Sequence, residues 1–293
     1  MVDDLNTLAS GDDDSNLKSA SVRRDSVLQQ SSFAWAPLTD ASKEIRVCRI
    51  LPGFAGSQIQ VVLRVVTLEE AVGRYNCLSY AWKTKRTTDS ILLNNCYHLI
   101  PNNLHLQLSR LRALGLTQDL WCDFLCIAQD DATERSIHVA MMGAIFSNAG
   151  QVFLAVDEGG QLLKPSAIQQ SLQKLSCGSH LRHLDCFGCK DAERASVSFP
   201  NSVAAQQLRR ILTASFWTRA WTVQEIVLAR KAFMIGEWGT IPFSALVDAS
   251  EAYNKHRKVC CASFVSALPK DVRLGCYQVC NQSVADSNDD PRK

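Results

Sequence analysis

Apolar and polar positions along this 293-residue chain change rhythm several times, and each change marks a predicted element. Residues 1–32 are rich in Asp, Ser and Gln with few large apolar side chains, so burial cannot offset the entropy of ordering them and a flexible tail is expected. From Ile45 the run Ile-Arg-Val-Cys-Arg-Ile-Leu alternates, and Ile59-Gln-Val-Val-Leu-Arg-Val-Val is β-branched. Both read as strands, joined as a hairpin through the Pro52-Gly53 turn. Tyr75-Asn-Cys-Leu-Ser-Tyr-Ala-Trp82 is a third strand-like run, followed by a polar loop from Lys83 to Ser90 and two short apolar segments, Ile91-Leu-Leu and Tyr97-His-Leu-Ile.

Leu104, Leu108 and Leu111 then fall on one helical face ahead of Gly115, which can end that helix. Trp121-Cys-Asp-Phe-Leu-Cys-Ile127 is almost wholly apolar, as in a strand covered on both faces, and its one carboxylate, Asp123, requires a partner. Asp131-Ala-Thr-Glu134 has the form of a capping box before a helix with Ile137, Met141, Ala144 and Ile145 on one face. Gln151 to Val156 is the next strand. This order of strands and helices predicts a parallel sheet with helices packed on its faces, an α/β unit over residues 33 to about 156.

Residues 157 to about 200 are weakly periodic and read as a variable insertion. Beyond it Val203–Leu212 and Phe216–Arg230 read as helices, Lys231–Ile235 as a strand and Pro242–His256 as a last helix, with a flexible tail over 269–293.

Composition narrows the function. The net charge of +2 offers no electrostatic reason to expect nucleic acid or an anionic membrane as the main partner. An acidic start, Met1-Val-Asp-Asp, and the lack of any apolar run near ~18 residues argue for a cytoplasmic protein without a membrane anchor. Several of the 12 cysteines sit inside apolar runs, as buried thiols do. Cys177, His180, His183, Cys186 and Cys189 form a crowded set of zinc-type donors at intervals of three, although zinc sites usually split such ligands between separated pairs. Ordinary thiols and histidines in a variable loop are therefore the preferred reading, with no metal bound and zinc the alternative. Phosphate-cradling glycine loops, Gly-x-Ser-x-Gly elbows and His-Glu-x-x-His helices are absent from the sequence.

Four blocks together resemble the heterokaryon incompatibility (HET) family of fungi: Tyr75–Trp82, Leu120–Gln129, Asp131–Arg135 with its helix through Ala149, and Arg219-Ala-Trp-Thr-Val-Gln-Glu-Ile-Val-Leu-Ala229. They span 75 to about 243 within an expected domain of 33–268. Three positions depart from the family pattern: Lys83 stands where a glycine usually follows the tryptophan, Ala128 replaces an asparagine, and Phe146 replaces a tyrosine.

The resemblance implies a role in self/non-self recognition, in which fusion of unlike cells triggers death through homotypic or heterotypic protein association. It also implies a distant likeness to TIR domains, hence a flavodoxin-like, mostly parallel sheet flanked by helices, with extra C-terminal helices. Some TIR domains cleave NAD with a glutamate in a Trp-x-x-x-Glu pattern, which Trp221-Thr-Val-Gln-Glu225 matches. No cofactor is implied, and NAD would be a substrate. In that reading Glu225 is the catalytic carboxylate, stabilising positive charge on the ribose, while Trp221, Trp82 and Asp123 bind substrate. A helix would set the Trp221 indole beside the Glu225 carboxylate, one turn away. Equally, the tryptophans fit a core and Glu225 fits an ion pair with Arg219 or Arg135.

Overall fold

The structure, a computed structural model, describes residues 33–82, 88–156, 165–180, 211 and 214–260. Both expected tails, residues 83–87 of the expected Lys83–Ser90 loop, much of the insertion, and the helix expected over Val203–Leu212 apart from Ile211 lie outside these residues, while Thr88–Ser90 belong to a strand rather than to that loop.

Among the described residues nine strands form one mixed sheet: β1 Glu44–Ile50, β2 Gln60–Thr67, β3 Tyr75–Tyr80, β4 Thr88–Leu93, β5 Cys96–Pro101, β6 Asp119–Trp121, β7 Gln151–Ala155, β8 Ala232–Gly236 and β9 Gly239–Pro242. Their spatial order is β5-β4-β2-β1-β6-β3-β7-β8-β9. At its centre β6, β3, β7 and β8 run parallel. Antiparallel pairs flank this core, β1 against β2 and β6 on one side and β8 against β9 on the other. The expected α/β architecture is therefore present, with more antiparallel sheet than a mostly parallel arrangement.

Local sequence explains most elements. Every residue of β3 is buried, as a central strand between two parallel neighbours requires. The β4–β5 hairpin turns at Asn94 and Asn95, whose φ values of 48° and 64° match the two left-handed positions of a type I′ turn. Helix α1, Asn102–Ala113, buries Leu104, Leu108 and Leu111, and the chain turns away after it at Gly115, φ +69°. Helix α3, Ala132–Asn148, starts as expected: the Asp131 carboxylate accepts from the N–H groups of Thr133 and Glu134 at 2.9 and 3.0 Å. Asp131→Ala is expected to lower stability by about 1 kcal/mol, read as a shift in the urea midpoint at unchanged slope.

The α3–β7 turn touches the start of β3. Gly150 donates to the Tyr75 carbonyl at 2.7 Å, and a Cβ there would stand 2.9 Å from the Gly73 carbonyl oxygen. Only glycine permits that backbone approach.

Three expectations change. Trp121–Ile127 is not one strand: β6 ends at Trp121, and Asp123–Cys126 forms a short helix, α2. A short apolar run carries too few positions for its period to separate a strand from a buried helical turn. Phe216–Arg230 is likewise not one helix. A 3-10 turn, Ser215–Thr218, is followed by extended Arg219 and then by helix α5, Thr222–Val227. Finally, the insertion contains helix α4, Pro165–Ser176, which packs on the last helix α6, Phe243–Lys258.

Arg46 belongs to the polar half of the alternating β1 pattern, yet it is 1% exposed. Its guanidinium donates to both Glu134 carboxylate oxygens at 2.5 and 3.0 Å, to the Ala36 carbonyl and to the Cys126 carbonyl. Glu134 also accepts from the Ala128 N–H at 2.8 Å. The second acid of the capping box thus anchors β1 rather than bonding back to its own cap.

Candidate functional site

The carboxyl ends of β3 and β6 collect most of the residues singled out from the sequence. Ser79 points from β3 to Glu225 on α5, and its hydroxyl donates to Glu225 Oε2. Arg219, in the extended link before α5, donates to Ser79 Oγ at 3.2 Å and to the two Glu225 oxygens at 3.3 and 3.4 Å. Serine, glutamate and arginine therefore close a three-membered ring of hydrogen bonds. The Arg219 guanidinium also lies 5.7 Å from the Phe216 ring centroid.

The break between the 3-10 turn and α5 makes this ring possible. Thr222 Oγ1 donates to the Phe216 carbonyl at 2.9 Å and ties the two pieces together. Extended Arg219 between them can then reach back toward Ser79.

Glu225 is 2% exposed, whereas Trp221 is 45% exposed. Trp221 is the residue capping α5, and its carbonyl accepts from the Glu225 N–H at 3.0 Å. The indole is therefore half open to solvent while the carboxylate is enclosed. Of the two ion-pair partners weighed for Glu225, Arg219 is the one in place.

Trp82 and Asp123 do meet. The indole N–H of Trp82 donates to Asp123 Oδ2 at 3.0 Å, while Asp123 Oδ1 accepts from the Phe124 N–H at 2.7 Å. The Trp82 ring stands edge-on to Phe124, centroids 5.9 Å apart, and Phe124 continues through His98 to Trp35 and Phe33. Burial, then the neighbouring Cys122, push the Asp123 carboxyl up to about 7. Arg219 and Glu225 act on it in opposite senses, which puts the two groups of residues in one electrostatic neighbourhood. The nearby Tyr80 phenol is raised well above its usual range by burial and then by Asp123.

The Asp123 shift has a measurable consequence. Its folded-state pKa lies above the ordinary value of 3.8, so the folded protein holds a proton that the unfolded chain has released between 3.8 and about 7. Stability contributed by this group is present below that window and is lost as pH rises through it. The indole N–H resonance of Trp82 is expected to titrate with a midpoint near 7, and Asp123→Asn to abolish the transition. A midpoint in the ordinary carboxylate range would contradict the buried setting.

Two surface cavities lie elsewhere, one lined by Arg64, Glu70 and Arg74 and the other by Gln58, His105 and Arg112. Among the zinc-type donors, Cys177 is exposed and His180 partly buried, whereas His183, Cys186 and Cys189 lie outside the described residues. Among the described residues the fold also brings two other donor sets together. Cys48, Cys122 and Cys126 are fully buried with their sulfurs within 4.8 Å, and His180 meets His256 and Cys260 within the same span. Contact with Cys122 and Cys126, then burial, holds the Cys48 thiol well above the usual range, and contact with Cys126, then burial, does the same for Cys122, whereas burial of Cys126 is outweighed by hydrogen bonds from Cys122 and Cys48 that hold it well below.

Sequence reasoning passed over Ser79 and Arg46. One small hydroxyl inside an apolar strand carries no periodic signal, and an alternating strand assigns its arginine to solvent. The usable clue was that a buried strand polar group needs a partner.

Comparison with known proteins follows the same residues. The profile of the heterokaryon incompatibility protein (HET) family matches from 75 to 225, bounded by the first residue of β3 and the glutamate of the ring. The chain belongs to the HET family. The chain is also 25% identical over 243 residues to heterokaryon incompatibility protein 6, OR allele, of Neurospora crassa. That alignment covers 71% of this chain and 35% of the relative, so the chain spans about a third of that protein's length. No solved structure matches significantly. Among the described residues no helix is long and apolar enough to cross a membrane.

Proposed function

We propose that this HET domain serves fungal heterokaryon incompatibility, acting in the cytoplasm in self/non-self recognition and promoting cell death through association with itself or with other HET-bearing proteins. The observation that carries the reading is the family match across the whole β3-to-α5 unit, supported by the similarity to an incompatibility protein. Glu225 favours association over turnover as the basis of action. Its carboxylate is almost wholly buried and engaged by Ser79 and Arg219, whereas half-exposed indoles such as Trp82 and Trp221 suit protein contacts.

The proposal includes a TIR-like core. In chain order β3, β6, β7 and β8 are first to fourth, and in space they run second, first, third, fourth, which agrees with flavodoxin-like winding. In that winding, ligands and partners meet the fold outside the carboxyl ends of the strands, where Trp82 and Asp123 lie.

Inducible expression of the full chain in a fungal host tests the function, with growth arrest and loss of viability expected. Normal growth at verified expression would overturn it. A parallel arm incubates purified, artificially oligomerised protein with NAD and measures nicotinamide. Death without NAD loss supports association, whereas nicotinamide release abolished by Glu225→Ala would replace that basis with a TIR-like glycohydrolase.

A further inference from the structure

Helices α4 and α6 pack along each other through apolar residues that include Leu172, Leu175, Leu246 and Ala249, all buried. At the end of α4 the chain turns on Gly178, φ +85°, with the Gly178 and Ser179 N–H groups donating back to the Leu175 and Lys174 carbonyls. This is a glycine-terminated helix end, and it directs His180 away from the α4 axis. His256 lies in the last turn of α6 and Cys260 in the turn that follows it, with the Cys260 sulfur 3.9 Å from the His256 carbonyl oxygen.

The three side chains converge. One ring nitrogen from each histidine and the Cys260 sulfur all lie within 4.8 Å of one another. His256 Nδ1 is 2.9 Å from Cys260 Sγ, and the His180 and His256 rings meet edge to face with centroids 5.1 Å apart. Zinc binds imidazole nitrogen at about 2.0–2.1 Å and thiolate sulfur at about 2.3 Å, so donors around one tetrahedral ion stand roughly 3.3–3.6 Å apart. Small side-chain rotations take the observed separations to those values.

The donor chemistry selects the ion. Two imidazoles and a thiolate suit a borderline-soft cation and offer nothing to calcium or magnesium, which require oxygen ligands. Two neutral imidazoles, one thiolate and Zn2+ leave a single positive charge, which a partly exposed position tolerates. The same exposure admits the ion and a water molecule as a further ligand.

We propose that His180, His256 and Cys260 form a zinc site, with three protein ligands and an open fourth position, that fastens the end of α4 to the end of α6. This set differs from the contiguous Cys177-to-Cys189 donors: it takes only His180 from them and draws its other two ligands from the far end of the described chain. The ion would bridge elements separated by some 80 positions of sequence, with His256 and Cys260 chelating from one side.

The full chain, purified without chelator, is expected to carry about one zinc per molecule by elemental analysis, and to lose thermal stability when the metal is removed. Cobalt substituted into the apoprotein should give visible ligand-field bands and a sulfur-to-cobalt charge-transfer band. Cys260→Ser should remove the charge-transfer band, and His180→Ala and His256→Ala should each lower zinc retention at least tenfold. Cys177→Ser should change nothing. Circular dichroism of each variant confirms that the fold persists, since the site sits at the surface. The proposal fails if no zinc is retained by the unaltered chain, if retention survives all three ligand substitutions, or if Cys177→Ser, Cys186→Ser or Cys189→Ser abolishes it instead.

Discussion

Glu134→Ala is expected to destabilise the protein by about 3–5 kcal/mol, because it leaves the Arg46 guanidinium buried without its counter-charge. Urea unfolding at neutral pH would read this as a large fall in midpoint. Arg46→Met combined with Glu134→Leu should recover much of the loss, since removing both charges also removes their desolvation penalty. A double variant no more stable than Glu134→Ala would show that the unpaired Arg46 charge is not the cause of the loss, and one as stable as the unaltered protein would show that the ion pair itself contributes little. The pair also has a signature in acid. Burial disfavours the Glu134 carboxylate, but hydrogen bonds from Arg46 and the Ala128 N–H outweigh it and hold the pKa below the ordinary 4.5. A lowered folded-state pKa means stability that is fully present above 4.5 and lost as pH falls through the folded value. The Glu134→Ala variant should lack that part of the acid transition.

The second large effect is expected at the ring. Glu225→Ala leaves Arg219, 20% exposed at its side chain, beside Ser79 without a carboxylate, at a cost of about 3 kcal/mol after allowance for its partial contact with water. Glu225→Gln retains an acceptor for Ser79 and should lose less. A double-mutant cycle between Glu225→Ala and Arg219→Ala should return a coupling of about 0.5–3 kcal/mol. Additive effects would mean that the two side chains act independently. This measurement matters to function, because a lost cellular response in Glu225→Ala has two readings, an unfolded domain or a missing chemical group. Stability at the growth temperature separates them.

Much of the fold was legible because its elements repeat a period long enough to recognise. Leu104, Leu108 and Leu111 revealed α1, β-branched positions revealed β2, and Asp131 revealed where α3 begins. Trp121–Ile127 and Phe216–Arg230 were misread in part, because a helical turn of four residues or a 3-10 turn beside a short helix has no period of its own. The β1–β2 hairpin was legible, but the edge strand β9 was not. β9 spans only Gly239–Pro242, and its pairing with β8 depends on a tight turn rather than on pattern.

The site divides in the same way. Glu225, Trp221, Trp82 and Asp123 were visible as residues with chemistry, but their pairing was not. That Trp82 holds Asp123 while Glu225 turns to Ser79 and Arg219 follows from the sheet order and from the break before α5. Neither is a local property of the sequence. Arg46 shows the complementary case, in which pattern assigned a side chain to water and a partner 88 residues away removed it.

The ring joining Ser79 to Glu225 links residues 146 positions apart and so ties the first strand of the family unit to its last residue. Physically it is a clasp on a large loop of chain. The entropy of closing such a loop grows only logarithmically, about 0.6 kcal/mol for each doubling of its length. Insertions in that loop are therefore expected to cost little stability where they leave its two ends and the α4–α6 packing in place.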